Sequence, residues 1–423
     1  MQSKNKVGVL LNNISFKLFP LGILLSTCTK LRIGGLPVGI GEIVLIVSTL
    51  LSIILYLKGK QNFVSINIKI FIAFWLLSFA ILVVGIFFGY NIVPKYAFED
   101  TFHDLFSYIF TSLVIIINWT VNVTNFDNTE RILRLYLFYI YIYFLLISIA
   151  FFNSEKSLFG INFSYENFRM SGLSENPNQL ACFIEIIPFL IIYQWTFEKN
   201  IMIKFYLVSF FILSIFVGIS TISDGLVLAW SVAGGSCMGL WYLNISPKKT
   251  QSNLIKSLTY LLKYVIIPSL VILVISVLLL NAFQFANDVY DDGDQGSERI
   301  GRWKNGLKAI KSSPLFGFGP GSFSGQTNPF EKEEAHNSLI DWTLSTGILG
   351  LLLFICMMMF YFVQLFRNRI LFCASLGLTI YIMFGYFLRH PFFWFHIILL
   401  VELAIYHKKR FLKLSEFKLL QTV

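Results

Sequence analysis

Apolar runs of about twenty residues recur along the chain, separated by short polar intervals. They fall at 8–28, 38–57, 67–89, 104–122, 133–152, 179–196, 203–222, 225–243, 263–283, 339–365, 370–388 and 391–407. Each is long enough, as a helix, to cross a hydrocarbon core of roughly 30 Å. In lipid every backbone polar group must be satisfied within the protein, which leaves helices or a closed barrel. The runs are continuous rather than alternating, so the pattern predicts helices. Residues 1–423 read as one all-α, polytopic integral membrane domain of about 12 transmembrane helices, with a large outer loop, 284–338, between spans 9 and 10. The first run is the weakest, interrupted by Asn12, Asn13 and Lys17. It shows no clear cleavage site and is expected to stay as an anchor. The last two runs are separated only by Arg389-His390, which predicts a tight hairpin.

Composition agrees with this class. Of 423 residues, 56% are hydrophobic and only 13% charged, about half the charge of an ordinary soluble domain. The net charge of +10 does not point to nucleic acid, because no soluble basic domain exists to hold it. Four cysteines (Cys182, Cys237, Cys356 and Cys373) fall inside the expected spans, Cys28 lies in or beside the first, and none forms a CxxC pair. That pattern supports neither a disulfide framework nor a metal site.

The basic residues orient the spans. Lys4, Lys6, Lys58, Lys60, Arg131, Arg134, Lys199, Lys204, Lys248, Lys249, Arg367, Arg369 and Lys408-Lys409-Arg410 all fall on one side. By the positive-inside rule that side is the cytoplasm, with both termini on it. Loops 90–103, 153–178, 221–224 and 284–338 are then outside. Two of them break the charge rule. Loop 153–178 carries Arg169, and loop 284–338 carries Arg299, Arg302, Lys304, Lys308, Lys311 and Lys332. Cations that give no orientation signal need another role, and an anionic ligand is a natural one.

Within the large loop, Glu298–Ser312 predicts an interfacial helix with Ile300, Trp303, Leu307 and Ile310 on one face. Its lysines read as snorkelling surface groups. Arg299, at the border of the apolar face, reads as functional. The run Gly317-Phe318-Gly319-Pro320-Gly321 matches no phosphate-binding fingerprint and predicts a turn. His336 precedes a span and lies close to Glu331, Glu333 and Glu334. It suits general-base work, or it is simply a polar residue at a helix start capped by Asn337 or Ser338. Asn176 or Asn178 is expected to cap the span after loop 153–178. Ionisable residues in the spans are Glu42, Asp104, Glu185, Asp224, His396 and Glu402. Glu42 and Asp104 fall near outer ends, and Glu185 and Glu402 are expected to pair across helices.

Several of these residues carry a resemblance. Arg299-x-x-x-Trp303, then Pro314-Leu315-x-Gly317-x-Gly319-x-Gly321-x-Phe323, then His336-Asn337 and Gly347-Ile348-Leu349-Gly350 resemble the signature region of the O-antigen ligase and polymerase family, the Wzy-type polymerases and WaaL-type ligases. Arg169-x-x-Gly172-x-x-x-Asn176-Pro177-Asn178 is similar to that family's preceding outer loop. The resemblance implies a GT-C-like fold and a metal-independent, inverting glycosyltransferase that needs no cofactor. It implies a glycan donor on undecaprenyl diphosphate, at the periplasmic side of a bacterial inner membrane. His336 would be the base, and Arg169, Arg299 and Arg302 would bind diphosphate. Glu334, Asn337, Asn178 and Arg389 would support them. One departure is Ser223-Asp224-Gly225, where many members carry an arginine after the serine. Arg302 or Arg389 is the candidate replacement.

A polymerase, with a lipid-linked acceptor and a chain-length regulator as partner, is the first expectation. The chain's Phe-, Ile-, Lys- and Asn-rich composition favours it, because repeat-unit gene clusters are often AT-rich. A ligase acting on lipid A-core is the second. A transporter or flippase using Glu185 and Glu402 is the third, and it is disfavoured because the cations gather in loops rather than at mid-membrane.

Overall fold

The computed structural model describes residues 2–33, 38–58, 64–94, 96–123, 126–153, 156–158, 160–165, 168–242, 295–321, 323–325, 327–331 and 333–420. The expected span 263–283, the part of the large loop before 295, and Lys60, Lys248, Lys249 and Lys332 lie outside them. The helices are α1 (Gln2–Leu25), α2 (Ile40–Leu57), α3 (Ile66–Ile92), α4 (Phe98–Asn122), α5 (Phe126–Phe152), α6 (Pro177–Ile184), α7 (Ile187–Phe197), α8 (Ile201–Ser220), α9 (Asp224–Tyr242), α10 (Gln295–Ile310), α11 (Ser338–Leu365), α12 (Arg369–Tyr381) and α13 (Pro391–Leu420). Among the described residues, 7 helices are long and apolar enough to cross a membrane, with shorter apolar helices at Val9–Leu25, Arg369–Phe384 and Pro391–Tyr406. The chain is thus mainly helical and built to pass a membrane several times. Among the described residues, four two-residue strands interrupt the helices. Ser157–Leu158 (β1) pairs with Ile161–Asn162 (β2), and Ser164–Tyr165 (β3) with Arg169–Met170 (β4), both antiparallel.

One large core runs through the bundle, and an aromatic block fills its centre. Trp75 of α3, Tyr108 of α4, Trp342 of α11 and Trp394 of α13 are buried within about one ring of each other. Helix contact elsewhere depends on small and polar residues, as expected where lipid removes the usual hydrophobic drive. Ser15 of α1, Ser48 and Ser52 of α2, and Asn118 and Asn122 of α4 form one buried hydrogen-bonded cluster. Glu402 accepts from Ser65 and Asn67, the cross-helix pairing expected of it. Glu185 corrects its expectation. It sits in the break between α6 and α7, fully buried, with no hydrogen-bond partner for either carboxylate oxygen among the described residues. Pro188 just beyond removes the amide that would have continued the helix.

Helix α11 is broken at Gly347, where φ is +64°. The turn 314–321 fills the gap. Phe318 and Gly319 donate their amides to Leu344 O and Ser345 O at 2.7 and 3.0 Å, and Ile348 and Leu349 donate to Pro314 O and Leu315 O at 2.8 and 3.3 Å. The turn therefore satisfies backbone groups that the break would leave bare in an apolar setting. Two of its amides are committed in this way, which agrees with a turn rather than a phosphate cradle. Gly85 and Gly89 of α3 seat its other side, each against the turn's backbone.

Candidate active site

The site is built where the chain enters α11. Asn337 is the N-cap, its Oδ1 accepting from the amides of Leu339 and Ile340 at 3.1 and 3.3 Å. One turn in, the buried Asp341 carboxylate accepts the amides of Ala335 at 2.7 Å and Asn337 at 3.2 Å. The two amides flank His336, so the chain folds tightly around it and His336 takes φ +53°. A non-glycine residue there is uncommon and needs its surroundings to hold it. Further fixings come from outside the loop. Trp303 of α10 donates to Ala335 O at 2.9 Å, and Ser338 Oγ donates to Gly385 O at 2.6 Å. The His336 side chain remains 45% exposed.

Charged groups surround it in two sets. Glu334 Oε2 lies 3.7 Å from His336 Nδ1, and Glu334 Oε1 is bound by Arg389 Nη2. Arg389 Nη1 also holds Asp104 of α4 at 3.0 Å. On the other side Arg302 pairs with Glu333 at 3.2 Å and Glu298 at 3.7 Å. Burial lowers the His336 pKa from its ordinary value. Glu334 opposes that, Arg302 and Arg299 add to it, and Glu333 again opposes it. The ring is thus kept in its neutral, proton-accepting form.

The loop that carries Arg169 is tied to the helix ends nearby. Arg169, on β4, donates from Nε to Thr221 O at 3.0 Å and from Nη2 to Asn178 Oδ1 at 3.2 Å. Asn176 rather than Asn178 is the N-cap of α6, which frees the Asn178 side chain to hold Arg169. Tyr381, at the end of α12, donates to Asn178 O at 2.9 Å and lies 3.2 Å from Ser223 Oγ. The charges of Arg299 and Arg169 both act on Tyr381, and that of Arg299 acts on His336 as well. Among the described residues neither Arg169 nor Arg299 has a carboxylate partner, whereas Arg302 and Arg389 each bridge two.

The structure thus gathers Arg169, Asn178, Arg299, Arg302, Glu334, His336, Asn337 and Arg389 at one end of the bundle. It adds groups that the sequence reading did not assign. Asp341 shapes the histidine turn, Tyr381 ties Asn178 to the segment after α8, and Asp104 anchors Arg389. Lys30 donates to Asn162 O, Ser171 Oγ and Gly172 O at 2.6, 2.8 and 3.1 Å, pinning the loop that carries Arg169. Lys30 could have been found by the same charge argument as Arg169, since loop 29–37 falls on the same side. Glu42, by contrast, only caps its own helix, through the Gly39 amide.

Helix α10 turns its small residues, rather than its apolar stripe, toward the protein. Its buried face is Asn305, Gly306 and Ala309, while Ile300 and Leu307 point outward beside Lys304, Lys308 and Lys311. Gly306 lets α10 come within contact of Ile340 and Ser324, and closeness of fit outweighs side-chain hydrophobicity.

Residues 209–355 match the family model described as O-Antigen ligase. The matched segment runs from within α8 to within α11. It includes Arg299, Arg302, Glu334, His336 and Asn337, and excludes Arg169, Asn178 and Arg389. The match supports an O-antigen ligase/polymerase family. No curated protein matches the chain.

Proposed function

We propose that the chain is an O-antigen (surface polysaccharide) polymerase that moves a glycan from undecaprenyl diphosphate onto the next lipid-linked repeat unit. The observation that carries this reading is one half-exposed neutral histidine in the positive field of Arg299, with Arg169 held by Asn178 in the other loop, neither guanidinium having a carboxylate partner among the described residues. A diphosphate leaving group departs as a concentrated anion, and guanidinium forks stabilise that charge as it develops. A sugar hydroxyl is a weak nucleophile until a positioned base takes its proton. His336 takes that role and the hydroxyl oxygen attacks the anomeric carbon. The bond to the diphosphate breaks on the opposite face, so the configuration inverts. Arg302 and Arg389, with Glu333 and Glu334, hold the histidine loop, and Arg302 adds to the positive field. In this reading the fold is GT-C-like with about twelve passes, both termini are cytoplasmic, and the site faces the periplasmic side of the inner membrane.

The donor chemistry is shared with a ligase that passes the glycan to lipid A-core, and the matched family is equally consistent with that second reading. Purified protein supplied with an undecaprenyl-diphosphate-linked glycan is expected to transfer it, and His336→Ala and Arg299→Ala are each expected to lower turnover by at least about a hundredfold. Full activity in both variants would remove the assignment. A deletion strain separates the two acceptors, leaving core with a single repeat unit for a polymerase and bare core for a ligase.

A further inference from the structure

We propose that Asp104 is a positioning residue for the transfer step, acting through Arg389 to hold Glu334 beside the His336 ring. The proposal rests on the glycosyl-transfer reading and adds a part of the site from α4, far in sequence from the histidine loop.

Arg389 is fixed from several directions. Its Nη1 meets Asp104 Oδ1 at 3.0 Å and its Nη2 meets Glu334 Oε1. Its guanidinium carbon lies 5.4 Å from the centre of the Tyr386 ring, and its backbone oxygen accepts from Thr111 Oγ1 of α4 at 2.8 Å. Asp104 is nearly buried, its side chain 6% exposed. A planar fork that bridges two carboxylates sets the position of both, which an ammonium could not do as well. Glu334 is left with one oxygen free of Arg389, and that oxygen is the one facing His336 Nδ1 at 3.7 Å. Nδ1 faces the acid, so Nε2 is the atom left to accept the hydroxyl proton.

The charge count gives the chain its use. Asp104, Arg389 and Glu334 together carry one net negative charge. In the transfer step the acceptor O–H bond breaks and its proton passes to Nε2. The oxygen bonds to the anomeric carbon, and the diphosphate leaves with the electron pair of the broken C–O bond. His336 is then an imidazolium, and the net negative charge of the chain stabilises it. Without Asp104 the whole charge of Arg389 falls on Glu334 and cancels it. The other charged groups facing His336 are Glu333 on its own loop and Arg299 and Arg302 of α10. Asp341 of α11 lies under the loop, and His103 lies 3.5 Å from Asp104. His390, beside Arg389, is pushed by burial and then by that arginine down to about 3, so it stays neutral.

The test compares the wild type with Asp104→Asn and Asp104→Glu. Transfer is followed against pH, and diethyl pyrocarbonate modification of His336 is followed in parallel, with the His336→Ala rate subtracted. Loss of the Asp104 charge leaves the imidazolium less stable. Asp104→Asn is therefore expected to move both the acid limb of kcat and the midpoint of modification downward by about half a unit to one unit. It should lower kcat by on the order of tenfold with KM for the donor nearly unchanged. Asp104→Glu should restore the profile. A fall in kcat with both midpoints unmoved would show a purely structural role and overturn the proposal. If the wild type transfers nothing, the glycosyl-transfer reading fails, while the modification midpoint still decides whether Asp104 acts on His336.

Discussion

His336, the proposed base, sits in a backbone conformation that works against stability. A φ of +53° on a non-glycine residue costs about 1–3 kcal/mol, and such strain collects at functional sites. The two amides held by Asp341 impose it. His336→Gly should therefore abolish transfer and yet raise stability by about 1 kcal/mol, because relief of strain outweighs the freedom glycine adds to the unfolded chain. His336→Ala should lose transfer without that gain. Thermal unfolding in detergent checks both, and a glycine variant less stable than the alanine variant would show that the turn is unstrained. The place of the histidine at the head of α11 was legible from the apolar run that follows it. The strain was not, because the acid that causes it looks like an ordinary first-turn aspartate.

The most informative element is α11, two helical segments joined by the inserted turn 314–321. A Cβ at Gly347 would collide with the backbone of Leu315 and Phe316, and the residue is at φ +64°. Gly347→Ala combines backbone strain with displacement of the turn, and it is expected to cost at least about 3 kcal/mol. Gly239→Ala in α9, where a Cβ meets nothing within 4 Å, should be neutral or stabilising by about 0.5–1 kcal/mol. The difference in melting temperature between the two variants measures the turn's contribution, and equal values would mean that the turn does not brace the break. Sequence pattern located both the span and the turn, since apolar runs and glycine clusters are local signals. That each completes the other depends on a contact between positions some thirty residues apart, which periodicity does not encode. The protein-facing side of α10 was not legible for a related reason. Hydrophobic spacing selected Ile300, Trp303, Leu307 and Ile310, but the small residues Gly306 and Ala309 permit the closest approach and set the buried side.

At the scale of the whole molecule, the site exists because alternate helix ends meet at one end of the bundle. The alternation of apolar runs and basic loops made that arrangement legible, and cations out of keeping with the charge rule marked Arg169 and Arg299. The ties between loops were not legible, because each joins residues far apart in sequence. Lys30 is the clearest case. It follows α1, yet its ammonium holds three groups of the segment 162–172, and its own amide donates to Leu173 O at 2.9 Å. Through that segment it helps to hold Arg169, and it is expected to take no part in the chemistry itself. Lys30→Met keeps most of the side chain's bulk and removes the three hydrogen bonds, two of them to backbone oxygens that are then left without this donor. Arg169 should lose its fixed place while His336 and its loop keep theirs. The expected result is a KM for the lipid-diphosphate donor raised about tenfold with kcat within a factor of about two, the pattern of lost uniform binding. A fall in kcat at unchanged KM would instead place Lys30 in the stabilisation of the departing diphosphate, and with it the loop after α1 in the reacting part of the site.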